Sequence, residues 1–339
     1  MLAGAHLEFV YAAFVGFAGS FCCTGLATWY ARRVNLLDHP GERHSHFEAT
    51  PRGGGAGLLL SFLLLTLWLD DSGQSRDWIV GIMPGVVVLA VVGAWDDHSS
   101  LSVRLRLFIQ LAVSLYLVTY ASLSDWVNGV PAMTFSVLML VWMTNLYNFM
   151  DGSNGLAGWQ GVFGGLVLAW LFWLAGDSQF SLISVLLAAS CAGFLPWNAG
   201  TAKVFMGDVG SLAIGFLIGA LMLYGTGSGA FSIPVALLLM LLFLTDSTLT
   251  LLSRVFRGER WYTAHRQHLY QRMIANGWTH GSVATFYQAV NLALVVPGIV
   301  VAVNFPAKAW VSALVLTLIF TLGWYLLIRR FGMPAQAGQ

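Results

Sequence analysis

The stretch Thr144-Asn-Leu-Tyr-Asn-Phe-Met-Asp-Gly-Ser-Asn-Gly-Leu-Ala-Gly158 closes an apolar run, Met133 to Met143, with amides and a carboxylate. Asn145, Asn148 and Asp151 recur every three residues, so a helix continuing through them carries all three on one face. Gly152 and Gly155 then break the helix where a second apolar run begins. The pattern is that of two membrane helices joined by a polar turn. A stripe of amides and a carboxylate at a helix end suits a magnesium-bound phosphate better than a lipid tail.

The rest of the chain has the composition that this reading requires. Of 339 residues, 58% are hydrophobic and 9% charged, against about 25% charged in soluble proteins. Apolar runs near 20 residues recur, the length that crosses a hydrocarbon core of about 30 Å. Dyad alternation is absent and the runs are too long for barrel strands, which excludes a β-barrel. The expected fold is an all-α integral membrane bundle of about 10–11 transmembrane helices, with its active site at the cytoplasmic face.

Eleven spans are predicted, near 7–30, 55–69, 78–95, 105–122, 132–149, 156–176, 179–197, 209–227, 230–252, 282–302 and 309–328. Alternate connections hold fourteen of the sixteen Lys and Arg residues; the others hold only Arg76 and Lys308. By the positive-inside rule the rich set is cytoplasmic, which puts the N-terminus outside and the C-terminus inside. The first segment lacks a basic n-region and reads as a retained span. Residues 1–330 form one multi-spanning domain and 331–339 a short cytoplasmic tail. The net charge of +1 implies no nucleic-acid partner; the implied surroundings are the lipid bilayer. Cys22, Cys23 and Cys191 sit in apolar runs and read as small buried residues, with no disulfide or metal site. The outer-loop acids Asp70, Asp71, Asp77, Asp125 and Asp177 read as solvated carboxylates.

The inner connections carry the chemistry. Asp38-His-Pro-Gly-Glu-Arg-His-Ser-His46 leads to Pro51-Arg-Gly-Gly-Gly55, a loop suited to backbone approach to an anion with Arg43 and Arg52 as charge partners. The bland alternative is a basic, Gly-rich loop that merely obeys the orientation rule. A zinc site from His39, His44 and His46 is disfavoured, since no Cys or acid completes the usual ligand spacing. Asp96 and Asp97 end the third span, where adjacent carboxylates are costly unless offset by a metal or Arg. Arg104 and Arg106 open the fourth span and are placed to hold a phosphate. Asp208 lies between glycines before the eighth span, as an anion-site neighbour or as a simple N-cap. Thr263-Ala-His-Arg-Gln-His-Leu-Tyr-Gln-Arg272 follows the ninth span, as a pocket lining or a solvated amphipathic helix. Asp246 falls late in that span, where a buried ionisable group is a functional candidate or pairs with a nearby Arg. Carboxylates, amides, Arg, His and Gly-rich turns on one side fit a magnesium-dependent reaction of phosphate groups. A transporter or flippase is the rival; it predicts ionisable groups at mid-membrane and on both sides, which this distribution lacks.

Five motifs, in this order, resemble the polyprenyl-phosphate N-acetylhexosamine-1-phosphate transferases of glycosyltransferase family 4. They are Pro51-Arg-Gly-Gly, Asp96-Asp97, Asn145-xx-Asn148-xx-Asp151-Gly, Phe205-Met-Gly-Asp208-x-Gly-Ser211 and His265-Arg-Gln-His268. The resemblance runs from Asp38 to Arg272. It implies transfer of a sugar 1-phosphate from a UDP-activated N-acetylated sugar to undecaprenyl phosphate, releasing UMP, at the bacterial inner membrane. Within the family this is the first membrane step of O-antigen and other cell-surface polysaccharide synthesis. Magnesium is the implied cofactor, with manganese as the alternative, and both a monomer and a homodimer remain open. By position, Asp208 and Asn148 match metal-binding residues. Asp96 and Asp97 match the paired catalytic acids near the metal and lipid phosphate, Asp96 at the position usually proposed to activate the attacking phosphate, and Asp151 is a catalytic candidate as a neighbour of metal or substrate. Phe205 and Asn198 match nucleoside contacts, and His265, Arg266, His268 and Arg272 match the segment that recognises sugar and diphosphate. His265 and His268 are also catalytic candidates, and Arg43, Arg52, Arg104 and Arg106 are candidates for the lipid phosphate. Two departures stand out. Asn154 replaces an Asp common in the family, which leaves it a nucleotide contact rather than a metal ligand. The His265-to-Arg272 segment lacks the triple His of the pentapeptide-transferring branch and looks closer to O-antigen initiators.

Overall fold

The computed structural model describes residues 2–38, 49–69, 76–260 and 265–332. Its helices in chain order are α1 (Leu2–Arg33), α2 (Gly55–Leu69), α3 (Met83–His98), α4 (Val103–Leu123), α5 (Val130–Met150), α6 (Leu156–Leu174) and α7 (Ser178–Asn198). There follow α8 (Gly207–Gly227), α9 (Ile233–Leu239), α10 (Leu241–Phe256), α11 (Leu269–Ala275), α12 (His280–Val290), α13 (Val296–Asn304) and α14 (Ala309–Phe331). A π-helical turn, Asp77–Ile82, leads into α3, and a second, Asn291–Val295, joins α12 to α13. The strands β1 (Leu37–Asp38) and β2 (Thr50–Pro51) form an antiparallel pair, Leu37 opposite Pro51 and Asp38 opposite Thr50. The protein is an all-α multi-pass membrane protein.

Among the described residues, nine helices are long and apolar enough to cross a membrane. The span predicted at 55–69 is α2, whose 15 residues extend about 22 Å, short of a full hydrocarbon core. The span predicted at 230–252 is broken: α9 and α10 meet at Met240 with a bend of 77°. Met240 leaves helical geometry at φ −111° and ψ 17°. The carbonyl of Leu239 freed by this break accepts a hydrogen bond from Gln160 Nε2 at 3.4 Å. Gln160 is fully buried in α6, and its Oε1 accepts from Asn291 at the π-helical turn, 2.9 Å away. Backbone groups lost at a kink in an apolar setting are thus satisfied by amide side chains from neighbouring helices.

Helix α8 runs through the centre. Its residues from Val209 to Met222 are buried on every side, as a helix apolar all round requires. Small residues let its neighbours approach. A Cβ on Gly93 of α3 would lie 2.3 Å from the carbonyl oxygen of Asp208, so the two backbones touch there. The outer helices present apolar side chains outward, as in Phe14 and Leu26 of α1 and Trp310 and Leu322 of α14, which lipid covers. On the face away from the polar loops, Asp177 caps α7 by accepting from the Phe180 amide and also accepts from Tyr224. Asp77 accepts from Tyr120. These two acids are structural partners rather than merely solvated carboxylates. The three cysteines are free.

The α3–α8 contact yields a direct test. Gly93→Ala drives a methyl into backbone and is expected to destabilise by about 3 kcal/mol or more. Gly323→Ala in α14, where nothing lies within 4 Å of the new Cβ, is expected to stabilise by roughly 0.5–1 kcal/mol through helix propensity. Thermal unfolding in detergent reads both.

Candidate active site

The Gly-rich turns bring five polar connections to one end of the bundle, where they enclose a cleft of about 1200 Å³. Its wall is drawn from β1 and β2, the ends of α3 and α5, the loops before α6 and α8, and the segment from Arg266 to Gly281. Local chemistry explains each contribution. The stripe on α5 survives as predicted, but its members diverge. Asn145 turns away to Gln110 of α4, donating to Oε1 at 2.6 Å, and clamps α4 to α5. Asn148 and Asp151 line the cleft. Gly155 takes φ +80° to start α6, and its amide donates to Asn198 Oδ1 at 2.8 Å.

The start of α8 is built by a second helix. Asp97, at the end of α3 and 8% exposed, accepts from the amides of Asp208 (3.0 Å) and Val209 (3.1 Å). It caps α8 from outside, satisfying amides that a helix N-terminus leaves free. Gly207 adopts φ +76° against the Asp97 carboxylate, where a Cβ would sit 2.5 Å from Oδ2. Asp208 is thereby aimed into the cleft, with Asn148 Nδ2 donating to its Oδ1 at 2.8 Å. Arg106 Nη1 bridges Asp96 (2.7 Å) and Asp208 (3.2 Å). On the other side Arg52 pairs with Asp38 at 2.9 Å. Asp151, half-buried, is held well above the ordinary carboxylate range by withdrawal from solvent and by the charges of Asp208 and Asp97; Arg52 opposes this.

The Gly-rich loop before α2 does something other than approach an anion. The amides of Gly54 and Gly55 donate to the carbonyls of Phe205 and Met206, and the Phe205 amide donates to the Pro51 carbonyl. These glycines bind the loop that carries Phe205 and Asp208, and a Cβ on Gly55 would lie 2.4 Å from the Gly210 backbone. Backbone pairing therefore sets the height of Phe205 on the cleft wall.

A sequence profile described as glycosyl transferase family 4 matches residues 79–226. The decaprenyl-phosphate N-acetylglucosaminephosphotransferase of Mycolicibacterium smegmatis is 30% identical over 304 residues, covering 77% of this chain and 74% of that protein. The chain belongs to the polyprenyl-phosphate N-acetylhexosamine-1-phosphate transferase family. A Bacillus subtilis protein, a probable undecaprenyl-phosphate N-acetylglucosaminyl 1-phosphate transferase, is 27% identical over 292 residues, 83% of this chain and 81% of its own. The undecaprenyl-phosphate alpha-N-acetylglucosaminyl 1-phosphate transferase of Escherichia coli is 26% identical over 323 residues, 89% and 86% of the two chains.

The family's motifs meet in the cleft unevenly. Arg52, Asp97, Asn148, Asp151, Asn154, Asn198, Phe205, Asp208 and Arg266 all line it. Asn198 is 3% exposed and spends its amide on Gly155 and on the Val204 carbonyl, so it braces two loops. Asp96 stands behind the wall, paired with Arg106 and the Leu101 amide. Arg104 is exposed on the first turn of α4, off the cleft. His265, His268 and Arg272 are also off it. His268 is buried, its ring stacked between Phe149 and Tyr270 with centroids 6.1 and 5.8 Å away. Arg272 donates to the carbonyls of Gln267 (3.0 Å) and Gly332 (2.8 Å), pinning the segment to the end of α14. The described end of that arm toward the cleft is Arg266, one of whose Nη atoms lacks a hydrogen-bond partner among the described residues. Arg43, His39, His44, His46, Asp70, Asp71 and the tail from Met333 lie outside the described residues.

Sequence reasoning passed over Trp278 and His280, which also line the cleft. His280 opens α12 and its Nδ1 lies 3.0 Å from Ser153 Oγ and 3.3 Å from the Asn154 amide. The signal available was an aromatic and a His between Gly277 and Gly281, in a connection already assigned to the basic side.

Burial, with His268 and Arg254 nearby, lowers His265 to about 3, and burial lowers His268 below its ordinary value. Both bind protons less readily when folded than in the unfolded chain, where a histidine titrates near 6.5, so the unfolded chain binds more protons below about pH 6.5. Their contribution is present above that pH and lost as pH falls toward the folded values. Between pH 7 and 5 the melting temperature is expected to fall, and His265→Gln to reduce that fall by roughly 2–4 °C, read by thermal unfolding in detergent.

Proposed function

We propose that the chain transfers an N-acetylhexosamine 1-phosphate from a UDP-activated sugar to undecaprenyl phosphate at the cytoplasmic face, releasing UMP. The carrying observation is the set of charges lining one cleft: Asp97, Asp151 and Asp208 with Arg52 and with Arg266, one of whose Nη atoms has no hydrogen-bond partner among the described residues. Such a cleft suits a diphosphate held between a divalent cation and a guanidinium. The relatives support the lipid-phosphate and sugar-phosphate halves of the reading, since their names carry both. The concentration of basic residues on this side supports the cytoplasmic face.

Among the described residues no three carboxylate, imidazole or thiolate side chains converge as a metal cage. The carboxylate of Asp208 beside the amide of Asn148 fits magnesium, which keeps waters and takes one or two carboxylates plus substrate phosphates. Asp208 and Asn148 would hold it. When bound, the ion neutralises charge developing on the diphosphate. Phe205 and Asn154 face the nucleoside, and Arg266 takes a phosphate of the donor. Arg52 receives the lipid phosphate, and Arg106, tied to Asp96, orients Asp208.

The reaction is an in-line displacement. An oxygen of the lipid phosphate bonds to the β-phosphorus as the bond from that phosphorus to the bridging oxygen breaks, and UMP leaves with that oxygen. A phosphate monoester has its second pKa near 6, so the attacking oxygen is already anionic at neutral pH. A protein base is then unnecessary, in keeping with Asp96 being engaged by Arg106. Positioning and charge neutralisation carry the rate.

Purified protein given undecaprenyl phosphate and a panel of UDP-sugars should release UMP with at least one of them, and EDTA should abolish release. Asp208→Asn should lower kcat by roughly 10²–10³-fold, the scale of losing one preorganised electrostatic group. UDP-sugar alone should leave no phosphorylated protein. No metal-dependent UMP from any sugar would contradict the proposal.

A further inference from the structure

Asp246 lies in α10, 2% exposed and outside the cleft lining, yet it collects four hydrogen bonds. Its Oδ1 accepts from the Leu269 amide (2.8 Å), Trp324 Nε1 (3.0 Å) and Thr250 Oγ1 (3.2 Å), and its Oδ2 from Tyr287 (2.9 Å). One carboxylate thus joins α10, α11, α12 and α14. A buried carboxylate is costly unless its oxygens are filled, and here both are. His268 Nδ1 is 3.9 Å from Oδ1, beyond hydrogen-bond distance. Asp246 is therefore not the partner of a His general base.

The Leu269 contact is the one that reaches the site. Leu269 precedes Tyr270, whose hydroxyl donates to the Phe149 carbonyl at 2.9 Å. The same hydroxyl abuts Gly152, where a Cβ would lie 2.2 Å from it. Phe149 directly follows Asn148, and Gly152 directly follows Asp151. Tyr270, Gln271 and Arg266, from the same arm, form part of the cleft wall. Arg272 fixes the arm to α14 from outside; Asp246 fixes it from within.

We propose that Asp246 is a positioning residue that sets the arm from Arg266 to Gln271 against the Asn148–Asp151 turn, and so governs binding of the nucleotide-sugar donor. This rests on the function proposed above. A residue needed only for folding would lower stability and affect both substrates alike. A positioning residue for this arm acts mainly on the donor, because the arm carries Arg266, assigned above to a donor phosphate, and seats Tyr270 on the turn that follows Asn148.

Three variants separate these roles. Asp246→Asn keeps an oxygen for the Leu269 amide and an amide that can donate to the Tyr287 hydroxyl. It should stay within threefold of wild type in kcat/KM. Asp246→Leu removes every acceptor at similar volume and should raise KM for the UDP-sugar at least tenfold, with kcat and KM for undecaprenyl phosphate changed less than threefold. Tyr287→Phe, which removes one donor and lies outside the cleft lining, should raise donor KM twofold to fivefold and serves if Asp246→Leu does not fold. Amide hydrogen exchange without substrate should rise across 265–275 in Asp246→Leu while α8 stays protected. That readout stands even if wild type turns over no sugar in the panel, so failure of the function and failure of this inference are distinguishable. Unchanged donor KM with unchanged exchange would overturn the proposal. So would equal losses for both substrates, or an Asp246→Asn as impaired as Asp246→Leu, which would mean that the charge itself is required.

Discussion

The site depends on one carboxylate used as a helix cap. Asp97 accepts the first amides of α8 and fixes how Asp208 emerges from the buried centre of the bundle. Three constraints follow. Gly207 must take a positive φ beside that carboxylate, Gly93 must let the α3 and α8 backbones touch, and Arg106 must answer the charge of Asp208. A carboxylate near a helix N-terminus is favoured by the exposed amides and the helix dipole together. The charge that would be expensive next to lipid is placed where backbone donors are waiting.

Neighbours in sequence take different work because a helix turns about 100° per residue. Asp96 faces Arg106 and Asp97 faces α8, so the adjacent acids are two separate devices. The same holds along α5, where Asn145 joins α4 and Asn148 joins Asp208. Periodicity announces a shared face, but the packing of neighbouring helices divides it. Binding a phosphate here is a property of several connections at once; no single motif contains a complete site.

Much of the fold was legible because span length and charge bias are strong, local signals. All eleven spans correspond to helical segments, and the five polar connections lie at one end. The break at Met240 was hidden, since Leu-Met-Leu is an ordinary apolar run and the group that satisfies it, Gln160, is eighty residues away in sequence. Short α11 was hidden because seven residues carry little periodicity, and its first amide is taken by Asp246, twenty-three residues away in sequence. In the site, residues at helix ends or in the turns beside them (Asn148, Asp151, Phe205, Asp208) reached the cleft, because the ends of α5 and α8 both open into it. His265, His268 and Arg272 did not, because an amphipathic segment has a buried face as well as a wet one, and the pattern alone did not say which face they took. Asp246 was recognised as unusual for its depth, and only its partners give it a role.

On this reading the Asp97-capped start of α8 presents Asp208, with Asn148, as the divalent-metal site of the cleft. Electron paramagnetic resonance of Mn²⁺ added to the purified protein tests it without any substrate. One bound ion is predicted, displaced by magnesium, lost in Asp208→Asn and weakened in Asn148→Leu, while Arg104→Gln binds as wild type does. Manganese binding that is unchanged in Asp208→Asn would contradict the account.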